Sequence, residues 1–265
     1  MTDNKTGNYE MTVIVPVYNE EENMKNLEER LGAFLGKAAV PSCILFVNDG
    51  SKDSSLEHIR DICSRNKHFY YISSDTNRGL STAMKAGIDT AQSRLVGYID
   101  SDLQTDPDDF NILLPYTGEY QLVTGIRANR KDTVGKRLQS KIANGFRRKM
   151  TGDKATDTGC PLKIMHADVA KRIPFFDGMH RFLAALIALE GGKMKEMPVR
   201  HYPRQNGVSK YHLANRLVKP FLDCFAYRWM KSRGKAGGQN KVPRLFNDRT
   251  YIDQLIADEH SNDPK

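Results

Sequence analysis

The sequence predicts an α/β fold in which a mostly parallel central sheet is covered by helices on both faces. Short apolar runs alternate with longer amphipathic stretches through the first 126 residues, and polar clusters follow several of these runs. Strands that alternate with helices favour parallel pairing, because each helix returns the chain to the same edge of the sheet. Ligands of such sheets bind where the strands end, so the polar clusters mark a candidate site.

The predicted elements follow one another regularly up to residue 126. A helix is predicted over 20–35, because its leucines are spaced by four and would form one apolar face. A further helix is expected to begin near Pro107, because proline suits the first helical turn. The other expected helices span 54–64 and 80–91, and the expected strands span 12–17, 43–47, 69–72, 95–99 and 122–126.

The second half of the chain is less regular. Its last predicted helix is amphipathic, with Phe221, Phe225 and Trp229 at a spacing of four on one face and Asp223 and Tyr227 on the other. Two interpretations of the aromatic face are open: it dips into a lipid headgroup layer, or it packs onto the rest of the chain as core. The other predictions are a basic helix over 134–150, a strand over 163–165, a helix over 179–190 and an extended segment over 197–202.

Charge is distributed unevenly over the 265 residues, whose net charge is +8. Residues 1–126 carry 11 Lys and Arg against 19 Asp and Glu, whereas residues 127–249 carry 28 against 9. The basic region therefore requires an anionic partner or a solvated surface. The polar first ten residues and the lack of a long apolar run predict neither a signal peptide nor a membrane span.

Two motif absences and the cysteine spacing exclude other classes. The chain has no G-x-G-x-x-G and no G-x-x-x-x-G-K-[ST], which disfavours a Rossmann dinucleotide fold and a P-loop enzyme. The four cysteines are scattered without zinc spacing, which is typical of reduced thiols in a cytosolic protein.

The most informative cluster follows the fourth predicted strand. Asp100, Asp102 and Gln104 are spaced by two, so in an extended strand end their side chains would point the same way. Carboxylate and amide oxygens suit a hard cation, and Mg²⁺ or Mn²⁺ usually shares its remaining positions with substrate phosphates. The cluster therefore predicts a divalent-metal site for a nucleotide diphosphate.

At this point the chain resembles the family 2 glycosyltransferases with a GT-A-like fold. Within that family it is similar to the polyprenyl-phosphate glycosyltransferases, which include dolichol-phosphate mannose synthases and undecaprenyl-phosphate aminoarabinose-type transferases. The resemblance covers about residues 10–230. It is carried by VPVYNE at 15–20, VNDGS at 47–51, NRG at 77–79, DSD at 100–102, GIR at 125–127, DTGC at 157–160 with Lys163, and RQNGVSK at 204–210.

The resemblance implies roles for individual residues on the donor side. The family usually has Asp where this chain has Asn48, which leaves the identity of the base open. Arg78 is open between a phosphate ligand and a solvated loop residue. The residues implied to bind the nucleotide are Pro16, Tyr18, Glu20, Asp49, Arg78 and Asp100, and the implied metal ligands are Asp100, Asp102 and Gln104.

On the acceptor side the resemblance implies a binding site for a lipid phosphate. Arg offers a bidentate fork, Lys a point charge and Ser a hydroxyl donor, which all suit phosphate. The implied ligands are Arg127, Arg204, Ser209 and Lys210, and the implied catalytic residues are Asp102, Arg127 and Arg204.

The expected activity is metal-dependent, inverting transfer of a sugar from a UDP- or GDP-linked donor to a polyprenyl phosphate. The expected location is peripheral, on the inner face of the cytoplasmic membrane, in contact with its anionic surface. An alternative is a transferase for a soluble or polysaccharide acceptor; a nucleic-acid partner is not expected, since the acidic front half fits it poorly. The expected organisation is a catalytic domain over 1–230, with a nucleotide half at 10–127, an acceptor half at 128–210 and an interfacial helix at 211–230, followed by a basic, flexible tail at 231–265.

Overall fold

The computed structural model describes residues 9–127, 134–203 and 213–233. Within these residues seven strands form one sheet: β1 (Met11–Val17), β2 (Ser42–Asp49), β3 (Phe69–Ser74), β4 (Leu95–Tyr98), β5 (Leu122–Arg127), β6 (Lys163–His166) and β7 (Met194–Val199). Their order is β3-β2-β1-β4-β6-β5-β7. All neighbouring strands are parallel except at β6, which runs antiparallel between β4 and β5.

Helices cover both faces of this sheet, and the alternation of side chains along β1 explains how. Val13 and Val15 pack into a cluster with α1, α2 and α4, whereas Ile14 points into the opposite cluster with α3, α6, α7 and α8. The predicted fold class is therefore confirmed. The helices are α1 (Met24–Leu35), α2 (Ser55–Arg65), α3 (Leu80–Thr90), α4 (Phe110–Leu113), α5 (Val134–Thr151), α6 (Ala167–Arg172), α7 (Leu183–Leu189) and α8 (Leu213–Arg233).

Several element boundaries differ from the predicted ones. A single 3₁₀ turn over Glu21–Asn23 precedes α1, so the helix begins at Met24 rather than at residue 20. The last strand begins at Met194, three residues before the predicted start at 197. The six-residue helix α6 was not predicted, because so short a segment does not develop a helical periodicity.

The aromatic face of α8 points outward. Phe221, Phe225 and Trp229 are 47%, 50% and 64% exposed. Phe146 of α5 stacks on Phe221 with 4.8 Å between ring centroids, so α5 extends the same surface. The interpretation of this face as core of the described chain is therefore wrong.

The opposite face of α8 attaches the helix to the protein. Tyr227 is buried, and its hydroxyl donates to the carbonyl of Ala185 in α7 at 3.2 Å. Cys224 is buried one turn earlier. Across residues 9–127, 134–203 and 213–233, none of the helices has both the length and the hydrophobicity of a membrane span.

Candidate active site

The loops after β1 and β2 are joined by hydrogen bonds at the carboxyl edge of the sheet. The Asn19 amide donates to Ser51 Oγ at 3.1 Å, and Asn19 Oδ1 accepts from the Lys52 amide at 2.7 Å. Asn19 adopts a positive φ of 52°, which asparagine tolerates better than most residues. The predicted nucleotide residues Tyr18 and Glu20 flank it and are half-buried. This part of the predicted site is therefore one connected surface.

Asp49 holds a third loop against the same edge. Its Oδ1 accepts from the Arg78 amide and its Oδ2 from the Gly79 amide, both at 2.8 Å. The following Gly50 has a φ of 67°, and a Cβ there would lie 2.4 Å from the carbonyl carbon of Thr76. Only glycine permits so close an approach, so the Asp49–Gly50 pair fixes the loop that carries Arg78. The Arg78 side chain itself is exposed.

The side-chain amide of Asn48 uses both of its ends in local hydrogen bonds. Its Nδ2 donates to Ser73 Oγ at 2.9 Å, and its Oδ1 accepts from the Ser51 amide at 3.2 Å. The side chain is fully buried. An ionised carboxylate here could accept from the Ser51 amide but could not donate to Ser73 Oγ, so the amide of Asn48 makes one bond in a direction that Asp could not.

The acidic cluster lies in a turn and not in an extended strand end. β4 ends at Tyr98, whose hydroxyl donates to Asp100 Oδ1 at 2.7 Å. Asp102 Oδ1 accepts from the Gln104 amide at 3.2 Å, and Leu103 has a φ of 59°. Side-chain bonds of this type bend the backbone. The premise that Asp100, Asp102 and Gln104 share one side of a strand is therefore wrong, and Asp102 is buried at 8% exposure.

Two other parts of the chain fix the acidic turn. Arg30 of α1 donates to the carbonyls of Leu103 and Thr105 at 3.0 and 3.2 Å. The Tyr202 amide donates to the carbonyl of Gln104 at 2.8 Å. The backbone after β7 therefore runs beside the acidic turn just before residue 204. The predicted phosphate ligands Arg204, Ser209 and Lys210 lie outside the described residues.

Arg127 ends β5 and is bound to Asp157. Its Nε and Nη2 donate to the two carboxylate oxygens at 2.8 and 2.7 Å, and its backbone amide donates to Oδ2 at 3.1 Å. The two side chains are 16% and 8% exposed. The guanidinium predicted to bind phosphate is therefore held in one orientation by a carboxylate.

The side chain of Lys163 is buried between the acidic turn and this ion pair. It lies opposite Tyr98 of β4 and Thr124 of β5, and its Nζ donates to the carbonyl of Cys160. Burial lowers the pKa of Lys163, while the negative charge of Asp100 acts in the opposite direction. Asp100 and the Asp157–Arg127 pair are therefore both close enough to act electrostatically on the buried Lys163 amine.

The donor atoms at the acidic turn are of the type that a divalent cation prefers. Two carboxylates and one side-chain amide offer only oxygen acceptors for a hard cation. In the part of the chain that the structure describes, no three His, Cys, Asp or Glu side chains surround a common point. A cation bound at Asp100 and Asp102 would therefore need further oxygen ligands from water or substrate.

Sequence reasoning did not find the contacts that hold this site together. Arg30 has the appearance of an ordinary solvated helix residue, yet it binds carbonyls 73 and 75 positions away. The Arg127–Asp157 pair joins residues 30 positions apart. Both residues stood in recognised motifs, but no spacing rule links one motif to the other.

Comparison with known proteins identifies the family. The profile described as Glycosyl transferase family 2 matches residues 12–174, from β1 through α6. A dodecaprenyl-phosphate galacturonate synthase from Rhizobium johnstonii is 33% identical over 240 residues, which cover 88% of this chain and 71% of the relative. An undecaprenyl-phosphate 4-deoxy-4-formamido-L-arabinose transferase from Pectobacterium atrosepticum is 34% identical over 218 residues, covering 81% and 67%.

Solved structures agree on the fold. A glucosyl-3-phosphoglycerate synthase from Mycobacterium tuberculosis, solved with Mn²⁺, UDP-glucose and phosphoglyceric acid, has a TM-score of 0.60 at 15% identity, covering 87% of this chain and 82% of that one. A mannosyl-3-phosphoglycerate synthase from Rubrobacter xylanophilus has a TM-score of 0.61 at 16% identity, covering 89% and 78%. With the profile match and the curated relatives, this likeness leads to one conclusion: the chain belongs to glycosyl transferase family 2 and is a glycosyltransferase with a GT-A-like fold.

Proposed function

We propose that this glycosyltransferase transfers a sugar from a nucleotide-diphosphate donor to a polyprenyl phosphate at an anionic membrane surface, the inner face of the cytoplasmic membrane. One observation carries the proposal. The relatives at 33% and 34% identity are named for different sugars, a galacturonate and an aminoarabinose derivative, but both are named for a polyprenyl-phosphate acceptor. The relatives share the acceptor class but not the sugar, so the proposal for this chain names the acceptor class and neither sugar.

The donor nucleotide is assigned to the edge formed by the first three loops. The residues assigned to it are Pro16, Tyr18, Glu20 and Arg78, together with Asp100. Each carboxylate oxygen of Asp49 accepts one hydrogen bond from a loop amide at 2.8 Å. A carboxylate oxygen has a second acceptor position, so Asp49 keeps capacity for an N–H of the base. Either UDP or GDP meets these requirements.

A divalent cation, Mg²⁺ or Mn²⁺, is assigned to Asp100, Asp102 and Gln104. When bound, it would neutralise charge on the departing diphosphate. Tyr98 orients Asp100 through a 2.7 Å hydrogen bond, and the Gln104 amide orients Asp102. These contacts fix both carboxylates before any ligand arrives, which reduces the reorganisation that binding requires.

The acceptor phosphate is assigned to Arg127, Arg204, Ser209 and Lys210. A phosphate oxygen is already anionic near neutral pH, so it can attack the anomeric carbon without a strong general base. Catalysis then rests on position and electrostatics, with inversion at the anomeric carbon. The loop with the last three residues follows Tyr202, whose amide is bonded to the acidic turn at 2.8 Å. The described chain therefore passes beside the assigned metal ligands just before residue 204.

The exposed aromatic face of α8 is assigned to the membrane. Its three aromatic residues are 47–64% exposed, and Lys219, Arg228, Lys231 and Arg233 lie on the same helix and are exposed. Aromatic side chains with basic residues around them are typical of interfacial helices. The enzyme would thus bind the lipid phosphate at the membrane surface, while the polyprenyl tail stays in the bilayer.

The test is a transfer assay with UDP- and GDP-linked sugars. Product should form with undecaprenyl phosphate and not with sugars or phosphoglycerate as acceptors. The Asp102→Asn variant serves as the matched inactive control, because its amide oxygen can still accept from the Gln104 amide. If sugar is transferred to a soluble acceptor and no lipid-linked product forms, the proposal is wrong and the soluble-acceptor alternative replaces it.

A further inference from the structure

A buried serine joins α3 to the turn that precedes α7. Ser81 lies in the first turn of α3 and is 1% exposed. Its Oγ accepts from the Gly178 amide at 2.9 Å and is 2.8 Å from His180 Nδ1. Burial lowers the pKa of His180 to about 3, so the ring is neutral, and its Nδ1 shares a hydrogen bond with the Ser81 hydroxyl. One hydroxyl therefore holds both ends of the 178–180 turn.

The same turn supports α8. Gly178 has a φ of 98°, and a Cβ there would lie 3.0 Å from Asp223 Oδ2 of α8. This Oδ2 atom is buried and has no hydrogen-bond partner among the described residues. The Tyr227 hydroxyl, one turn further along α8, binds the Ala185 carbonyl of α7. The helix with the exposed aromatic face thus rests directly on the turn that Ser81 holds.

On its other side, Ser81 is next to the assigned nucleotide edge. Gly79, two residues earlier, precedes the first turn of α3 and donates its amide to Asp49 at 2.8 Å. The Thr82 and Ala83 amides bind the Gly79 carbonyl at 3.0 and 3.1 Å. The first turn of α3 is therefore bonded to Asp49 through Gly79, and Ser81 bonds the same turn to the 178–180 turn, which lies against Asp223 of α8.

We infer that docking of α8 on an anionic lipid surface and binding of the donor nucleotide strengthen each other, with Ser81 as the positioning residue between them. The inference rests on the proposed function. Packed elements shift between discrete arrangements and do not deform continuously. A displacement of α8 is thus passed through Gly178 and Ser81 to the loop that Asp49 holds. Coupling of two binding events is reciprocal by thermodynamic necessity.

The experiment measures nucleotide affinity with and without vesicles. Dissociation constants for UDP and GDP are determined by calorimetry with Mn²⁺, using no vesicles, phosphatidylcholine vesicles, or vesicles that also contain phosphatidylglycerol. We expect the anionic vesicles alone to lower the dissociation constant by about five-fold or more, the lower end of usual allosteric coupling. The nucleotide should in turn raise the affinity for anionic vesicles by the same factor, measured from the fraction of protein that sediments with them. This reciprocal measurement uses the unmodified chain.

Two variants in the same helical turn separate coupling from folding. Ser81→Ala should bind nucleotide and vesicles separately but lose the effect of one on the other. Among the described residues the Thr82 hydroxyl donates to the carbonyl of Arg78, one turn earlier, and makes no bond to the 178–180 turn, so Thr82→Ala should keep the coupling. Equal nucleotide affinity with and without anionic vesicles in the unmodified chain, or full coupling in Ser81→Ala, overturns the inference. Failure of the unmodified chain to sediment at all would instead overturn the membrane assignment and, with it, this inference.

Discussion

The Arg127–Asp157 pair offers the sharpest test of how the site is built, because Arg127 is assigned both a structural contact and a substrate contact. Asp157→Ala would leave the Arg127 side chain, 16% exposed, without the carboxylate that accepts two hydrogen bonds from its guanidinium and one from its backbone amide. Removal of one partner from a buried ion pair costs about 3–5 kcal/mol of unfolding free energy. For a chain of this size the melting temperature should fall by about 6–20 °C.

A double-mutant cycle then separates the two roles. Arg127→Ala should destabilise the protein to a similar extent, and the double variant should lose less than the sum by about 2–3 kcal/mol, because it leaves no unpaired charge. Unfolding is followed by denaturant titration. Additive losses in the cycle would refute the claim that these side chains stabilise each other.

The activity arm of the cycle is measured at a temperature where all variants are folded. Arg127→Ala should raise KM for polyprenyl phosphate by about 10- to 150-fold, since a charge-assisted phosphate contact contributes about 1.5–3 kcal/mol. Asp157→Ala keeps the guanidinium and should raise this KM less. If Arg127→Ala leaves this KM unchanged, the assignment of Arg127 as a phosphate ligand is wrong.

Four further predictions concern other parts of the molecule. Asp102→Asn should abolish Mn²⁺-dependent nucleotide binding and transfer while the circular dichroism spectrum stays unchanged; full turnover, or full turnover in excess chelator, would contradict the metal assignment. Arg204→Ala and Lys210→Ala should raise KM for the lipid phosphate more than KM for the nucleotide sugar, and the reverse pattern would mean that donor and acceptor sites are exchanged. Burial lowers the pKa of His180 to about 3 from its ordinary value of 6.5. The unfolded state therefore binds the extra proton between these pH values, and stability falls as pH falls through 6.5. From this group the unfolding free energy should be about 2 kcal/mol lower at pH 5 than at pH 7.5, and His180→Asn should flatten that dependence in denaturant titrations. Trp229→Glu should prevent sedimentation with anionic vesicles at low salt while leaving the melting temperature within a few degrees, whereas undiminished sedimentation would assign the membrane contact to another surface.

Much of the sheet was predictable because its strands are buried on both faces. Such strands form continuous apolar runs in the sequence, and β1, β2 and β4 lie within two residues of their predicted bounds. The edge strand β7 is only half-buried, and its weaker pattern gave a start three residues too late. The bounds of the buried strands were thus predicted more accurately than the start of the half-buried edge strand β7.

The site was predictable in its residue types but not in its geometry. The motif around Asp100 and Asp102 correctly marked the end of β4, yet the turn there depends on a local side-chain bond at Asp102 and on Arg30 from a distant helix. The faces of α8 were recognised, but hydrophobicity alone did not reveal that the face with Tyr227 is the buried one. Which face is buried depends on a partner, here α7, that periodicity does not identify.

The antiparallel strand in the middle of the sheet imposes an order on folding during synthesis. β1 to β4 come from the first 98 residues, whereas the free edge of β4 is paired only by β6, 65 residues after Tyr98. At about 5–20 residues per second the ribosome leaves that edge open for about 3–13 s. An unpaired strand edge is a template for association with other chains. The nascent protein is therefore most vulnerable to aggregation in that interval. The interval ends when β6, the short strand that carries Lys163, pairs with β4.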